Sequence, residues 1–248
     1  TEGKVPVVAI YSTFLQRAFD HIIHDIALQN LPVIFCMDRS GLVGEDGATH
    51  HGVLDISYLR CIQNIIISAP KDGNELRDLL YTATLNTTKP FTIRYPKEQS
   101  VKFEDKSPQK IEIGSWEVLT EGSDVLILAV GSMVSKSLEV HSMLMEKGIS
   151  SEIVNCRFIK PMDENYLNES LPKYKLVVTI EEGVIDGGFG EGVINWSNKK
   201  NIENSILTLG VPNRFVDHGP RNILLKEIGL DSMTLFENIY NFSKKSNE

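Results

Sequence analysis

The stretch Val33-Ile-Phe-Cys-Met-Asp-Arg-Ser-Gly-Leu-Val-Gly-Glu-Asp-Gly-Ala-Thr-His-His-Gly52 joins an apolar run to a loop that is rich in glycine and charge. The run from Val33 to Met37 is typical of a buried strand. The sixteen residues that start at Met37 contain four glycines, three acids, one arginine and two histidines, a composition that packing alone does not require. Loops that carry chemistry are held at the ends of rigid strands, and glycine lets the backbone approach a ligand closely. The stretch therefore predicts an active-site loop for a phosphorylated substrate.

On both sides of this loop, the first hundred residues alternate between strand-like and helix-like segments. One helix is predicted over residues 14–29, because apolar residues recur at intervals of four from Phe14 to Ile26. Asp72, with Glu75 three residues later, predicts a capped helix start. Strand and helix units joined by short loops imply a mostly parallel sheet with helices on its faces. The predicted strands are residues 5–10, 32–37, 64–69 and 91–95, and the further helices are residues 55–61 and 72–85.

A charged segment that contains prolines, residues 96–110, interrupts this pattern and predicts a domain boundary. The alternation then resumes, with Ser132 predicted to cap a helix and Gly148 to end it. We therefore predict an α/β fold of two consecutive parallel-sheet domains, residues 1–105 and residues 106–248. The second domain is predicted to contain strands at residues 125–130, 152–156, 176–180 and 205–209, and helices at residues 133–147, 163–171, 190–198 and 233–242.

The composition excludes several classes of function. A net charge of −8, without any dense run of lysine and arginine, disfavours general binding to nucleic acid or to membrane surfaces. No apolar stretch approaches the roughly 20 residues that span a bilayer. Cys36, Cys61 and Cys156 are odd in number, lack CxxC spacing and lie in apolar sequence. They predict buried free thiols in a reducing compartment rather than a disulfide framework or a zinc site.

Charged and aromatic residues fall where predicted strands end. Arg39 and Arg94 lie at or near the C-terminal ends of strands, the edge at which α/β sheets bind ligands. Two guanidinium groups converging there would suit a phosphate, while surface ion pairs are the alternative. Tyr11, at another strand end, could donate its hydroxyl group to the same ligand. Ser12 or Thr13 is predicted to cap the helix that follows.

A proton-transfer role is predicted for His50, which lies in a glycine-flanked loop four residues after Asp46. Imidazole titrates near neutral pH, and although a loop histidine is more often solvated, the proximity of Asp46 and Arg39 favours a functional role. The neighbouring His51 would point elsewhere and has less weight. Phe14 either joins the core, the more common use of phenylalanine, or presents its ring to a heterocycle.

Two other patterns suggest chemistry but have simpler interpretations. His21 and His24 have the spacing of a metal-binding pair, but no third ligand is near in sequence, so we predict solvated side chains or subunit contacts. The glycine-rich residues 181–192 do not match G-x-G-x-x-G spacing, and their acidic side chains would repel a pyrophosphate. We predict that residues 181–192 form a tight strand-to-helix turn and are a candidate subunit contact.

With these residues in view, the chain resembles the C-terminal part of the 1-deoxy-D-xylulose-5-phosphate synthase family, thiamine-diphosphate enzymes of the transketolase superfamily. Residues 1 to about 105 resemble most of a pyrimidine-binding domain that is truncated at its N-terminus, and residues from about 110 to 248 resemble a transketolase C-terminal domain. The most specific blocks are Ala9-Ile-Tyr-Ser-Thr-Phe-Leu-Gln-Arg-Ala18, Asp38-Arg-Ser-Gly-Leu-Val-Gly-Glu-Asp-Gly47 with Thr49, His50 and Gly52, Ser57-Tyr-Leu-Arg60, and Ile93-Arg-Tyr-Pro96.

For the cofactor, the resemblance implies that Phe14 stacks on the aminopyrimidine of thiamine diphosphate, with Arg17 nearby on the same helix. The diphosphate-binding domain with its Mg²⁺ ligands, and the glutamate that protonates the aminopyrimidine, would precede this chain. Thr1 is not an initiator methionine and leads directly into a strand-like run, so we expect the chain to begin inside a larger polypeptide. The resemblance thus implies a chain that acts with its N-terminal portion, in a homodimer, in the cytoplasm or in a plastid-type organelle.

For the reaction, the resemblance implies that pyruvate is decarboxylated and joined to D-glyceraldehyde 3-phosphate, giving 1-deoxy-D-xylulose 5-phosphate and CO₂ for isoprenoid biosynthesis. Tyr11, Arg39 and Arg94 would hold the phosphate of the aldehyde. Asp46 and His50 would contact the substrate and the intermediate, with His50 assisting proton transfer.

Two alternatives remain open at the level of sequence. One is half of another thiamine enzyme, such as a 2-oxoacid dehydrogenase β subunit or a split transketolase; Tyr11, Arg39 and Arg94 together favour a phosphorylated acceptor instead. The other is a non-catalytic assembly subunit, which would have no reason to carry Arg39, Asp46, His50 and Arg94 together.

Overall fold

The computed structural model describes residues 3–86, 88–100 and 103–245, which form two five-stranded sheets. The first sheet has the strand order β1-β2-β4-β3-β8 and the second β10-β9-β6-β7-β5. Residues 101 and 102, inside the predicted boundary segment, lie outside the described residues. The strands are β1 (Val7–Tyr11), β2 (Ile34–Asp38), β3 (Ile66–Ser68), β4 (Phe91–Arg94), β5 (Glu117–Thr120), β6 (Val125–Ala129), β7 (Ser151–Asn155), β8 (Phe158–Lys160), β9 (Leu176–Val184) and β10 (Ser205–Val211).

Helices cover the faces of both sheets. The first, α1, spans residues 12–27 and changes geometry along its length: Ser12–Leu15 and Phe19–His21 are α-helical, Gln16–Ala18 is 3-10 and Ile22–Ala27 is π-helical. Among the described residues, no helix combines the length and apolar character needed to cross a bilayer. The remaining helices are α2 (Asp55–Arg60), α3 (Gly73–Leu85), α4 (Met133–Glu146), α5 (Glu164–Ser170), α6 (Phe189–Lys199), α7 (Arg221–Glu227) and α8 (Ser232–Lys245), with 3-10 turns at Gly44–Asp46 and Leu171–Lys173.

The predicted α/β fold with two mostly parallel sheets is confirmed. Neighbouring strands run parallel except at β3 with β8 and at β5 with β7, where the pairing is antiparallel. Since β8 belongs to the second half of the chain, that half completes the first sheet. Ile56 and Leu59 of α2 are buried in the same cluster as Leu128 and Phe189, so one apolar core continues from one sheet to the other.

The start of α1 differs from the prediction that Ser12 or Thr13 caps a helix beginning near residue 14. The helix begins at Ser12, its N-cap is Tyr11, and no side chain caps it. Thr13 Oγ1 instead donates to the carbonyl of Thr49 at 3.2 Å. Ser12 packs so closely on Gly52 that a Cβ there would lie 2.6 Å from the Ser12 side chain. The capping prediction was wrong because both hydroxyls face the glycine-rich loop.

The other predicted helix ends have mixed outcomes. Asp72 caps α3 as predicted, accepting from the Glu75 amide at 2.8 Å. The Glu75 carboxylate accepts from the amide of Lys71 at 2.6 Å, one residue before the expected capping-box partner. Ser132 does not cap α4, because its hydroxyl donates to the Glu182 carboxylate at 2.7 Å. Gly148 ends that helix as predicted, with φ of +75° and its amide bonded to Met145.

Three short elements escaped the sequence analysis: β5, β8 and α7. The three residues of β8 form a strand only because they pair with β3, about ninety residues earlier in the chain.

The cysteine prediction was wrong for Cys61. All three thiols are free, but while Cys156 is buried and Cys36 half-buried, Cys61 is exposed just beyond the end of α2 and donates to the Tyr58 carbonyl at 3.0 Å.

The turn before β6 offers a test of the packing. A Cβ on Gly122 would lie 2.2 Å from the carbonyl carbon of Ser151, which is backbone and cannot yield cheaply. We expect Gly122→Ala to lower the free energy of unfolding by about 1–3 kcal/mol, measured by denaturant titration. Gly219→Ala is the matched control, since its Cβ would meet the Leu224 side chain at an ordinary 3.5 Å. Equal stability of the two variants would contradict the packing described here.

Candidate active site

The loop after β2 is closed at its neck by two glycines. Gly41 and Gly52 exchange backbone hydrogen bonds of 2.8 and 2.9 Å, so the loop leaves and re-enters the sheet at one point. The amide of Ser40 also donates to the carbonyl of Tyr95, which follows the neighbouring strand β4. Gly41 has φ of +84°, a backbone conformation that favours glycine. The loop is therefore a defined structure at the C-terminal edge of the first sheet.

Four of the predicted site residues come together at this edge. The rings of Tyr11 and Phe14 stack with centroids 5.1 Å apart, and the His50 ring meets Phe14 edge-on at 5.4 Å. The guanidinium of Arg39 lies over the Tyr11 ring, 3.8 Å from its centroid. Residues from the β1–α1 connection and from the loop after β2 therefore share one surface.

Arg39 retains hydrogen-bonding capacity. Its Nη1 donates to Asp38 Oδ2 at 2.6 Å, while its buried Nε finds no acceptor among the described residues. Its backbone has φ of +56°, which is uncommon for a residue with a side chain. A buried guanidinium donor without a partner is costly, and an anionic ligand would satisfy it.

Asp46 and His50, four residues apart in the loop, have separate partners. His50 Nδ1 lies 2.9 Å from the hydroxyl of Thr49. Asp46 instead faces Lys97, with 3.5 Å between Oδ2 and Nζ. Sequence reasoning missed Lys97, which directly follows the strand end at Arg94-Tyr-Pro96. Its side chain is 53% exposed. Its position after β4, the parallel neighbour of β2, is the signal that could have identified it.

Arg94 lies in a different environment from Arg39. It is 5% exposed, its Nε donates to Asp55 Oδ2 at 2.9 Å, and its Nη2 donates to the Glu182 carbonyl at 3.0 Å. Burial lowers the pKa of Arg94, but the carboxylates of Asp55, Glu182 and Glu181 together outweigh it and leave the pKa above its usual value. The guanidinium therefore stays charged inside the junction of the two sheets. Phosphate binding by Arg94 remains a prediction.

A cavity of about 670 Å³ opens beside Phe14 and is lined from both halves of the chain. Phe14 is 37% exposed and Phe215, on the opposite half, is 88% exposed. Arg17 lines the same cavity, one turn along α1 from Phe14. Apolar walls and exposed rings fit a flat heterocycle such as an aminopyrimidine.

His51 is a structural residue. Its Nδ1 accepts from the amide of Val43 at 3.1 Å, and its Nε2 lies 3.1 Å from the carbonyl of Asp217, which can only accept. These two bonds define a neutral tautomer that ties the loop to the second half of the chain.

His21 and His24 lie on α1, where His24 pairs with the exposed Asp20 at 2.8 Å. Nowhere in residues 3–86, 88–100 and 103–245 do three metal-binding side chains cluster.

A strand-to-helix turn lies within residues 181–192 as predicted, but it is confined to residues 185–188, between β9 and α6. Glu181 accepts from the amides of Phe189 and Gly190 at 2.8 and 2.9 Å, so a carboxylate already occupies the N-terminus of α6. Ser57 of α2 donates to the carbonyl of Asp186, placing the turn against the first half of the chain. Burial raises the pKa of Glu181 to about 7 despite those two bonds. Sequence reasoning took these acids only as repelling a phosphate, and missed their hydrogen bonds.

Comparisons with known proteins agree with this architecture. Two family models match, "Transketolase, pyrimidine binding domain" at residues 1–101 and "Transketolase, C-terminal domain" at residues 114–235. A solved structure titled "Split gene transketolase, inactive beta4 tetramer" aligns with a TM-score of 0.85 and 30% identity, covering 96% of this chain and 76% of that one. A Pichia stipitis transketolase shares the fold at a TM-score of 0.76 and 20% identity, over 97% of this chain and 34% of that one. The chain belongs to the transketolase family of thiamine-diphosphate-dependent transferases.

Within that family, similar curated proteins are 1-deoxy-D-xylulose-5-phosphate synthases. The Aquifex aeolicus protein is 50% identical over 93% of this chain, and that of Dictyoglomus thermophilum is 49% identical over 96%. The Cytophaga hutchinsonii protein is 42% identical over 98% of this chain. The chain spans only 37–38% of the length of these relatives.

The raised pKa of Glu181 predicts a specific pH dependence of stability. With a pKa of about 7 in the fold against an ordinary 4.5, the folded state holds this proton more tightly than the unfolded state. Stability is therefore highest below pH 4.5 for this group and falls as the pH rises towards 7, by up to about 3 kcal/mol. Denaturant titrations at several pH values should show a weaker fall in Glu181→Gln. An unchanged slope in that variant would contradict the assignment.

Proposed function

We propose that this chain is the C-terminal portion of a 1-deoxy-D-xylulose-5-phosphate synthase. The reaction decarboxylates pyruvate, joins the remaining two carbons to D-glyceraldehyde 3-phosphate, and yields 1-deoxy-D-xylulose 5-phosphate and CO₂. The observation that carries this proposal is the identity of 42–50% over 93–98% of this chain to synthases of that name. The clustering of Tyr11, Phe14, Arg39 and His50 supports it.

The phosphate of the aldehyde would bind between the loops that follow β2 and β4. Arg39 offers a buried Nε–H without an acceptor, and Tyr11, stacked beneath its guanidinium, offers a hydroxyl. The exposed Lys97 supplies a second cation at the same sheet edge, where a compact ammonium suits a phosphate as a point charge. Arg94 would act directly through the donors that its bonds to Asp55 and to the carbonyl of Glu182 leave free.

The remaining residues of the loop would handle the carbon skeleton. His50, whose ring contacts that of Phe14, would accept or return a proton on a substrate oxygen. Asp46 would orient a substrate hydroxyl, with Lys97 keeping its carboxylate turned towards the loop. Exclusion of water from this edge would strengthen each of these polar contacts.

Thiamine diphosphate, when bound, supplies the carbanion stabilisation that decarboxylation of a 2-oxoacid requires. Phe14 would stack on its aminopyrimidine, with Arg17 alongside in the cavity of about 670 Å³. The fit is favourable because the ring of Phe14 is 37% exposed and leaves apolar surface open to a further aromatic ring. The diphosphate and Mg²⁺ would be held by the N-terminal portion of the enzyme.

Partner chains follow from the same proposal. We propose that the chain works with the N-terminal portion of the enzyme, within a homodimer of the complete protein. The exposed Phe215 and the open cavity beside it are the surface that such a partner would cover. The split-gene transketolase neighbour is described as an inactive tetramer of its β chain, which is the behaviour we expect of this chain on its own.

A second candidate function is half of a split transketolase, favoured by the structural match to that split-gene protein. The two functions differ in the donor substrate, which is pyruvate for the synthase and a ketose phosphate for transketolase. Supplying the complete enzyme with D-glyceraldehyde 3-phosphate and either donor separates them. Formation of 1-deoxy-D-xylulose 5-phosphate from pyruvate is the expected result, and reaction only with a ketose phosphate would overturn the proposal.

Single substitutions test the proposed roles. We expect His50→Ala to lower kcat by about 10²–10³-fold with little change in KM, because a proton-transfer group acts in the transition state. Arg39→Ala and Lys97→Ala should each raise the KM for D-glyceraldehyde 3-phosphate by about tenfold or more, without changing that for pyruvate.

The test for Arg94 rests on a comparison of two measurements. If Arg94 is structural, Arg94→Lys lowers the thermal midpoint of unfolding and changes the KM for the aldehyde less than Lys97→Ala does. A large rise in that KM at unchanged stability would instead establish direct phosphate binding by Arg94. Exposed Lys106→Ala, which removes only a surface pair with Glu104, is the matched control.

A further inference from the structure

We infer that Glu182 and Arg221, both from the second half of the chain, are positioning residues that hold the phosphate-side loops in place. The loops are those that follow β2 and β4 and carry Arg39 and Lys97. This inference rests on the proposed function for its kinetic consequence, and on the geometry for the contacts themselves.

Glu182 contacts the loop after β2 directly. Its Oε1 accepts from the amide of Leu42 at 2.8 Å, although the two residues are 140 positions apart. Its carboxylate also lies against Gly41, where an added Cβ would come within 2.4 Å of the Glu182 side chain. Glu182 is 1% exposed, so its side chain has little freedom to move. The start of the loop, at Gly41 and Leu42, therefore packs against a fixed carboxylate from the other half of the chain.

Arg221 bonds to the same loop and also to the loop that follows β4. Its Nε donates to the carbonyl of Leu42 at 3.0 Å, and its Nη2 donates to Glu182 Oε2 at 2.5 Å. Its Nη1 bonds to the carboxylate of Glu98, the residue after Lys97. One guanidinium thus links Leu42, three residues beyond Arg39, to Glu98, the residue after Lys97. Both amide and carbonyl of Leu42 are engaged by this pair.

The arrangement suits a positioning role because neither residue is free to bind substrate. The Glu182 carboxylate is engaged by Leu42, Ser132 and Arg221, and each of the three guanidinium nitrogens of Arg221 has a partner. Holding two cations at a fixed spacing matters for phosphate binding, since misplacement by about 1 Å can cost two orders of magnitude in rate or affinity. Loss of the contacts made by Glu182 and Arg221 should therefore affect binding of the phosphorylated substrate selectively.

The experiment compares Glu182→Gln and Arg221→Lys with wild type in the complete enzyme. Each variant keeps the approximate shape of its side chain but weakens the charged contacts. We expect the KM for D-glyceraldehyde 3-phosphate to rise about tenfold while the KM for pyruvate and kcat change less than about twofold. In parallel, amide hydrogen exchange in peptides covering residues 39–47 and 96–100 should quicken about tenfold, with other peptides unaffected.

The matched control is Glu117→Gln, which also weakens a contact between the halves. Glu117 bonds to Lys71 at 2.6 Å and to Asn155 at 3.1 Å but touches neither loop, so both readouts should remain at wild-type values. A general loss of fold would lower kcat and stability together and leave the two KM values in proportion, which would overturn the inference. Unchanged exchange in both loops would overturn it as well. If the wild-type enzyme fails to use the phosphorylated aldehyde, the proposed function fails. Amide hydrogen exchange alone then decides whether Glu182 and Arg221 hold the two loops in place.

Discussion

The buried guanidinium of Arg94, which is paired with Asp55, joins the two halves of this molecule through a bond to Glu182. Arg94 ends β4, Asp55 begins α2, and the second guanidinium nitrogen reaches the carbonyl of Glu182 in β9. Two strands, one from each sheet, and the helix α2 are therefore tied at one point by a buried charge. Removing one member of such a pair leaves an uncompensated charge, at a typical cost of about 3–5 kcal/mol. The candidate site depends on this junction, since its cavity is lined from both sides of it.

Local pattern in the sequence was sufficient for the regular parts of the fold. The apolar runs of β2 and β4, the Asp72 cap and the Gly148 stop all depend on neighbours within a few residues. Prediction failed where a distant group competes for the same atom. Ser132 has the composition of a helix cap, yet its hydroxyl bonds to Glu182, fifty positions away, and Ser12 packs on Gly52 instead of capping α1. Such competition is invisible until both partners are placed.

The site shows the same division. The positions of Tyr11, Phe14, Arg39 and His50 beside one another follow from parallel strands whose C-terminal ends share an edge. Charge alone could not distinguish Arg39, with an unpartnered Nε, from Arg94, which has a buried partner on each side. It also could not show that the acids after β9 accept backbone amides. The environments of Arg39, of Arg94 and of the acids after β9 each depend on which hydrogen-bonding groups the fold brings close to them.

The contacts of Leu42 have a consequence for how the molecule is made. Its amide and carbonyl are held by residues 140 and 179 positions later in the chain. While a ribosome is still producing the second half, the glycine-rich loop has its neck but not its outer support, and contacts of such long sequence separation form late. The substrate edge should therefore mature last, after both sheets exist. Order at this edge would then report that synthesis has passed Arg221.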